Sequence, residues 1–352
     1  MLLKTVQRFV FFWSFVLLAA YLVYIYPLQR LTDWLGYPAL LNLPVVVGLW
    51  FIVTTVLWLS FRSSSRVLET ILYNWMGIGF VFFCLCFIYE LLRLVVALND
   101  YWIAISILIA GVCIIIYSFW NAQRLQCKHL KFCDARLAGD YRLIQISDVH
   151  IGSRSVNFLR RVVTTVNAQN PQFVLITGDF LDANRIQAED IAPLRKLKAP
   201  VYFSIGNHER YAGLDWVIPM LEDAGVMMLR SKTVKHGELQ FIGIDDAEDE
   251  NQVKRELGKI ELDRNCFKVL LYHRPLGWNA AAESGIDLML CGHTHNGQIL
   301  PFNWLVRWQF KRVCGLHTQG SCRLYVSPGT GTWGPAMRLG SRNEVTCIDL
   351  KC

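Results

Sequence analysis

The sequence is short of charge. Only 18% of its 352 residues are Asp, Glu, Lys or Arg, and 53% are hydrophobic, against roughly 25% charged in an average soluble domain. That balance excludes an ordinary soluble globule over the whole length and directs attention to membrane spans. CxxC pairs are missing too. The eleven cysteines are an odd number, and Cys84, Cys86 and Cys113 lie in apolar stretches, so a secreted disulfide framework is not expected. There is no Lys/Arg run interleaved with aromatics, so no nucleic-acid partner is expected. Internal repeats and low-complexity segments are also absent, and nothing identifies a protein partner. The net charge of +7 divides as 6 basic minus 4 acidic residues up to position 122, leaving +5 beyond it. A basic surface beside an anionic inner leaflet accounts for that excess.

Long hydrophobic runs are plentiful in the first third. Four stretches, near 9–26, 39–61, 71–89 and 101–120, each approach the roughly 20 residues needed to cross about 30 Å of hydrocarbon. The first follows Lys4 and Arg8 but is long for a cleaved signal peptide, and it is read as a retained helix. With the N-terminus inside, Lys4, Arg8, Arg62, Arg66, Arg124, Lys128, Lys131 and Arg136 flank the cytoplasmic ends, against Arg30 and Arg93 outside. The expectation is therefore a multi-pass protein of the inner (cytoplasmic) membrane whose C-terminal domain faces the cytoplasm. The division reads as a four-helix transmembrane region at 1–122, a linker at 123–140 and a globular domain at 141–352. Glu90 and Arg93, three residues apart, are expected to pair, and Trp102 and Trp120 to join an interfacial belt.

Beyond the linker the apolar runs shorten. Strands are expected at 141–147, 172–177, 201–205, 239–244, 267–272, 286–291, 323–327 and 344–350, with helices in "SVNFLRRVVTTVNAQ" and "GLDWVIPMLEDAG", an α/β pattern. Polar residues cluster where strands end. The first runs into Asp148-Val149-His150, the second into Gly178-Asp179, the third into Gly206-Asn207-His208-Glu209, the fifth into His273 and the sixth into Gly292-His293-Thr294-His295. Loops beyond strand carboxyl ends are where α/β proteins place ligands. A turn or a satisfied core histidine explains any one of these motifs, but not five in order.

A mixed His/Asp/Asn set suits a pair of borderline divalent cations, Mn, Fe or Zn. Two such ions about 3.5–4 Å apart stabilise both the attacking and the leaving oxygen at phosphorus. In a mononuclear zinc enzyme, lowering the pKa of water from about 15.7 to about 7 is worth on the order of 12 kcal/mol. The ordered motifs DxH, GDxxD, GNHE, a single His and GHTH resemble the calcineurin-like metallophosphoesterase superfamily. The ending "SPGTGTWGPAMRLGSRNEVTCIDL" is similar to its membrane-associated, YkuE/YaeI-like branch. The resemblance covers about 141–350. It implies a four-layer αββα sandwich preceded by the four transmembrane α-helices. It implies one metal on Asp148, His150 and His295, another on Asn207, His273 and His293, and Asp179 bridging them. It also implies that His208 acts catalytically beside the substrate, with Asp182 orienting it; a helix N-cap is the structural alternative for Asp182.

Glu209 is expected to be a turn or surface residue. Where relatives continue GHTH with Gly-Gly, this chain has Asn296-Gly297; Asn tolerates a left-handed backbone. Arg338 either meets a substrate phosphate or braces the C-terminal loop. The aromatic segment "PFNWLVRWQF" at 301–310 either packs in the core or dips into the bilayer. The expected function is a membrane-bound phosphohydrolase cleaving phosphoester or pyrophosphate bonds by metal-activated hydroxide. Its substrate is expected to be lipid-linked, such as UDP-2,3-diacylglucosamine in lipid A biosynthesis or a phospholipid. The alternatives are hydrolysis of soluble nucleotides, or a non-catalytic, membrane-tethered regulatory module.

Overall fold

The computed structural model describes residues 13–62, 65–182 and 186–351. Lys4 and Arg8 lie outside the described residues, and so does the Arg62 side chain. The chain divides into two compact units, one ending at Phe119 and one beginning at Trp120.

Four helices starting in the first unit are long and apolar enough to cross a membrane: Trp13–Trp34, Leu43–Ser60, Arg66–Arg93 and Asp100–Asn121. The first runs past the expected limit near residue 26. One π turn, Tyr21–Ile25, leads into an α-helix at Tyr26–Trp34, with Pro27 in its first turn, where the missing N–H costs little. The Val23 carbonyl, which a helical residue 27 would otherwise meet, lies against Gly79; a Cβ there would stand 2.1 Å from its oxygen. Glu90 and Arg93 do face each other at 3.5 Å, but within a wider network. Arg30 Nε donates to Glu90 at 2.5 Å, Arg93 pairs with Asp100 at 3.0 Å, and the Tyr89 hydroxyl donates to Asp100 at 2.6 Å.

The second unit is built on twelve strands: β1 (Leu125–Cys133), β2 (Tyr141–Ile146), β3 (Phe173–Ile176), β4 (Val201–Phe203), β5 (Val226–Met228), β6 (Lys232–His236), β7 (Leu239–Gly243), β8 (Phe267–Leu271), β9 (Leu288–Cys291), β10 (Gly315–Gln319), β11 (Cys322–Val326) and β12 (Asn343–Lys351). They form two six-stranded sheets, ordered β1-β12-β2-β3-β4-β5 and β10-β11-β9-β8-β7-β6. All eight expected strands are present. The stretch read as a linker is corrected: β1 pairs in parallel with β12 from Leu125↔Asn343 to Cys133↔Lys351. Its outward Lys128, His129 and Lys131 are exposed, which is how an edge strand resists further pairing and why it reads as polar linker. β5, β6 and β10 are short strands toward the far edges of the sheets and escaped notice for a similar reason.

Alternation along each strand feeds two cores. In the first sheet Leu143, Leu175 and Tyr202 face inward to meet Phe241, Val269, Leu271, Leu288 and Leu290 of the second. Their neighbours Ile144, Val174, Ile176, Val201 and Phe203 face outward onto the helices Val156–Ala168 and Leu214–Asp223. On the far side, Leu270, Met289 and Cys291 pack with residues of Gln252–Leu257 and Trp278–Glu283. The result is the αββα sandwich. Strands buried on both faces read as continuous apolar runs. β2, β3 and β4 are parallel in one sheet, and β7, β8 and β9 in the other, so the strands of each set end together.

Candidate metal centre

Those strand ends bring the motif residues together. Asp148 follows β2, Asp179 follows β3, Asn207 follows β4, His273 follows β8, and His293 and His295 follow β9. His150 Nε2 and His295 Nε2 stand 3.0 Å apart, with Asp148 Oδ1 3.4 Å from His295 Nε2. Beside them His273 Nε2 is 3.0 Å from Asp179 Oδ2 and 3.1 Å from His293 Nδ1. Two ligand atoms about 2.1 Å from one ion, 90–110° apart, stand about 3.0–3.4 Å from each other. The Asn207 side-chain oxygen is buried and has no hydrogen-bond partner among the described residues.

Close approach explains the motif glycines. A Cβ on Gly206 would stand 2.2 Å from Asp179 Oδ1, and one on Gly292 2.1 Å from Asp148 Oδ2. Asp148, His150, Asp179, His293 and His295 all adopt left-handed backbone, with φ between +49° and +73°. Each costs about 1 kcal/mol or more and is held by the surrounding fold. Asn296 follows with φ +50°, so the departure from Gly-Gly is accommodated.

The supporting bonds are as ordered as the ligands. His273 Nδ1 lies 2.8 Å from the Thr177 carbonyl, which directs its Nε2 lone pair at the cluster. His293 N–H donates to both Asp148 oxygens at 3.0 and 3.1 Å. Asp182 Oδ1 sits 2.8 Å from His208 Nδ1 and 3.3 Å from His150 Nδ1, while the Ser153 hydroxyl donates to its other oxygen. Asp182 therefore orients His208, whose Nε2 lies 3.9 Å from Asp179 Oδ2.

Glu209 differs from expectation, and Arg338 takes one of its two readings. Glu209 is fully buried, not a surface residue: it accepts from the backbone N–H groups of Asp179 (2.9 Å), Gly206 (2.8 Å), Phe180 (2.8 Å) and Leu181 (3.1 Å). It thus clamps the GD and GN loops together. A carboxylate three residues after Gly206, at capping-box spacing, was the available signal. Of the two readings of Arg338, phosphate donor or brace of the C-terminal loop, the geometry fits the brace and not the phosphate donor. The side chain is fully buried and donates to Asn343 (2.8 Å), the His295 carbonyl (2.8 Å), Ser341 (3.2 Å) and the carbonyls of Pro328 (2.8 Å) and Gly331 (2.6 Å). It braces the loop behind His295. Asn121 holds the same loop by donating to the Arg338 and Ser341 carbonyls at 3.0 and 2.9 Å.

Burial and mutual charge set the protonation of the cluster. Burial holds the Asp148 carboxyl above its ordinary range. Burial also raises Asp179, but His273, His208 and His150 outweigh it and keep that carboxyl well below the usual range. Asp182 is lowered the same way by His150 and His208. Burial disfavours a charged His273, yet Asp179 lifts it to about 10. His293 is pushed down to about 2, by burial and then by charged His273, and His295 well below normal by burial and His150. Asp179, His293 and His295 are thus in the ionised-carboxylate and neutral-imidazole forms a metal needs, whereas Asp148 and His273 would give up a proton when one binds. The donor set, the facing nitrogens and the orphaned Asn207 oxygen all fit divalent metal ions.

Residues 141–297 match the calcineurin-like phosphoesterase family. A metallophosphoesterase of Campylobacter jejuni is 32% identical over 260 residues, covering 70% of this chain and 69% of the relative. The transmembrane protein with metallophosphoesterase domain of Danio rerio is 32% identical over 233 residues, 60% of this chain and 53% of the relative. The YkuE metallophosphoesterase of Bacillus subtilis is 26% identical over 235 residues, 60% of this chain and 79% of the relative. The chain belongs to the calcineurin-like phosphoesterase family. Its site is that of a metal-dependent phosphoester hydrolase.

Proposed function

We propose that this protein is a membrane-embedded phosphohydrolase of the cytoplasmic face, acting on a lipid-linked phosphoester or pyrophosphate with two divalent ions of the Mn, Fe or Zn type. The observation that carries the reading is the pairing of two ligand sets that share one wall. Asp148, His150 and His295 would hold one ion, Asn207, His273 and His293 the other, and Asp179 both. Ions held there supply Lewis acidity at phosphorus and activated water at neutral pH. His208, fixed by Asp182, is placed to give a proton to the leaving oxygen. An open cavity of about 360 Å³ beside Asn207, lined by Arg210, Tyr211, Asp246 and Arg274, has room for the group attached to the phosphate.

The four apolar helices and the excess of basic residues at their cytoplasmic flanks support the membrane location. The relative from Danio rerio bears a transmembrane name, which agrees with it. A lipid-linked substrate then needs no release from the bilayer. A second reading, hydrolysis of soluble nucleotides, draws on Tyr211 and Trp333, exposed rings centred 5.5 and 5.8 Å from His208 and suited to stacking on a base.

The test is the full chain in detergent with Mn²⁺, offered phospholipids, UDP-linked lipids and nucleotides, with products read by mass spectrometry. Cleavage of a lipid at least tenfold faster than of any nucleotide is expected, and Asp179→Asn should abolish it. Preference for nucleotides would refute the lipid reading. Undiminished turnover in the variant would refute the shared carboxylate.

A further inference from the structure

The segment Leu300–Phe310 ends the loop that carries His293 and His295, and within it Phe302–Gln309 is an α-helix. Its amphipathicity is turned inside out. Asn303 is buried, at 7% exposure, whereas Phe302, Trp304, Leu305 and Trp308 are 48, 68, 53 and 87% exposed. At about 100° per residue these four side chains share one outward arc, and Arg307 sits at its border. A helix of a soluble protein turns such residues to the core. The arrangement is local to this segment. Among the described residues from β1 onward, nine large hydrophobic side chains are exposed, and five of them lie between Leu300 and Trp308.

Charge marks out the same surface. From 288 to 343 the sequence contains no Asp or Glu and six Lys or Arg residues. Of these, Arg307 and Lys311 are exposed beside the aromatic arc and Arg312 is half-buried over the Trp278 ring. Tryptophan, phenylalanine and leucine on one arc with cations at its margin are the features of a helix lying in the bilayer interface, its rings at headgroup depth. An anionic leaflet attracts each cation near its surface.

The helix is also fastened to the metal centre. A Cβ on Gly297 would stand 2.2 Å from the Asn303 Cα, and the Phe310 ring centroid is 5.4 Å from that of His293. The Thr294 hydroxyl donates to the Val313 carbonyl at 2.5 Å. Leu300 N–H donates to the Leu339 carbonyl at 2.9 Å, next to Arg338.

We propose that Phe302–Gln309 is a membrane-docking helix, seated by Phe302, Trp304, Leu305 and Trp308 in an anionic bilayer surface, which sets the mouth of the metal centre at the height of lipid phosphates. The occupant is the bilayer because the chain carries four apolar spans, the last ending only four residues before β1, and because the margin is cationic with no acidic residue near it in sequence. The docking goes beyond the proposed reaction and does not depend on which substrate is cleaved.

The test uses the full chain in nanodiscs of phosphatidylcholine and phosphatidylglycerol, with a benzophenone amino acid in place of Trp308 and, as control, of exposed Met227. Hydrolysis of bis-p-nitrophenyl phosphate reports that each variant is folded. After illumination, mass spectrometry is expected to find phospholipid adducts at 308 and at least tenfold fewer at 227. Adducts only to peptides of the same chain, a cross-linked dimer, or no adduct would each overturn the docking. A second measurement needs no photolabel. Lipids brominated near the headgroup are expected to quench the wild-type tryptophan fluorescence more than that of Trp304→Phe/Trp308→Phe, and equal quenching would count against the proposal.

Discussion

Two buried polar clusters lie on either side of His295, and they are finished differently. Around Arg338 the polar atoms close on one another: its guanidinium meets Asn343, Ser341 and three backbone carbonyls. Around Asp179 they close only in part. His150 and His295 point nitrogen at nitrogen across 3.0 Å, and the Asn207 oxygen has no partner among the described residues. Both clusters are out of water, where an unmade hydrogen bond costs about 1–3 kcal/mol. A satisfied cluster is structural. One left open, on strained backbone, is a place where the fold has reserved coordination for something else. This contrast separates Arg338, which by residue type looked like a phosphate ligand, from residues that serve the chemistry.

The contrast can be broken by mutation. Arg338→Leu should have the largest effect, about 3–5 kcal/mol of lost stability, because it strands several buried acceptors at once. A thermal melt of the full chain in detergent would show it, and an unchanged midpoint would mean that the network is not structural. Asp182→Asn should leave stability nearly unchanged while lowering kcat about 10–100-fold, since it loosens the orientation of His208 and of His150. Metal analysis alongside steady-state kinetics separates that outcome from simple loss of an ion. The smallest effect on folding belongs to Asn207→Ala. Measured without metal, its stability should stay within about 1 kcal/mol of the parent, because the oxygen removed makes no bond. Metal content should nevertheless fall by about one ion per chain, by elemental analysis. A strongly destabilised metal-free Asn207→Ala protein would erase the distinction between the two clusters.

The same contrast shows where reading the chain stops. The eight strands visible in it are the ones buried on both faces, where apolar runs must be continuous. β1 was hidden because an edge strand carries Lys128 and Lys131 outward, and its partner β12 lies some 218 residues away at Leu125↔Asn343. Asp148, His150, Asp179, His293 and His295 announce themselves as candidates, because the chemistry of a divalent ion restricts the residue types and the close approach of other residues demands glycine before Asp179 and His293. Glu209 stands inside one of the motifs yet was misread, since its four N–H partners come from loops that sequence distance keeps apart.

Residue type and local pattern were enough to mark the apolar spans, eight of the twelve strands and the candidate ligands, because those depend on hydrophobic period and on side-chain chemistry that each residue carries wherever it goes. Which polar groups end satisfied and which stay open depends on neighbours that packing brings together, some a few positions apart and others as far apart as Asn121 and Arg338. Arg338 became a brace, Glu209 a clamp, and the helix at Phe302–Gln309 an outward-facing apolar surface only when packing assigned each its surroundings, since burial and hydrogen bonding are properties of the assembled chain.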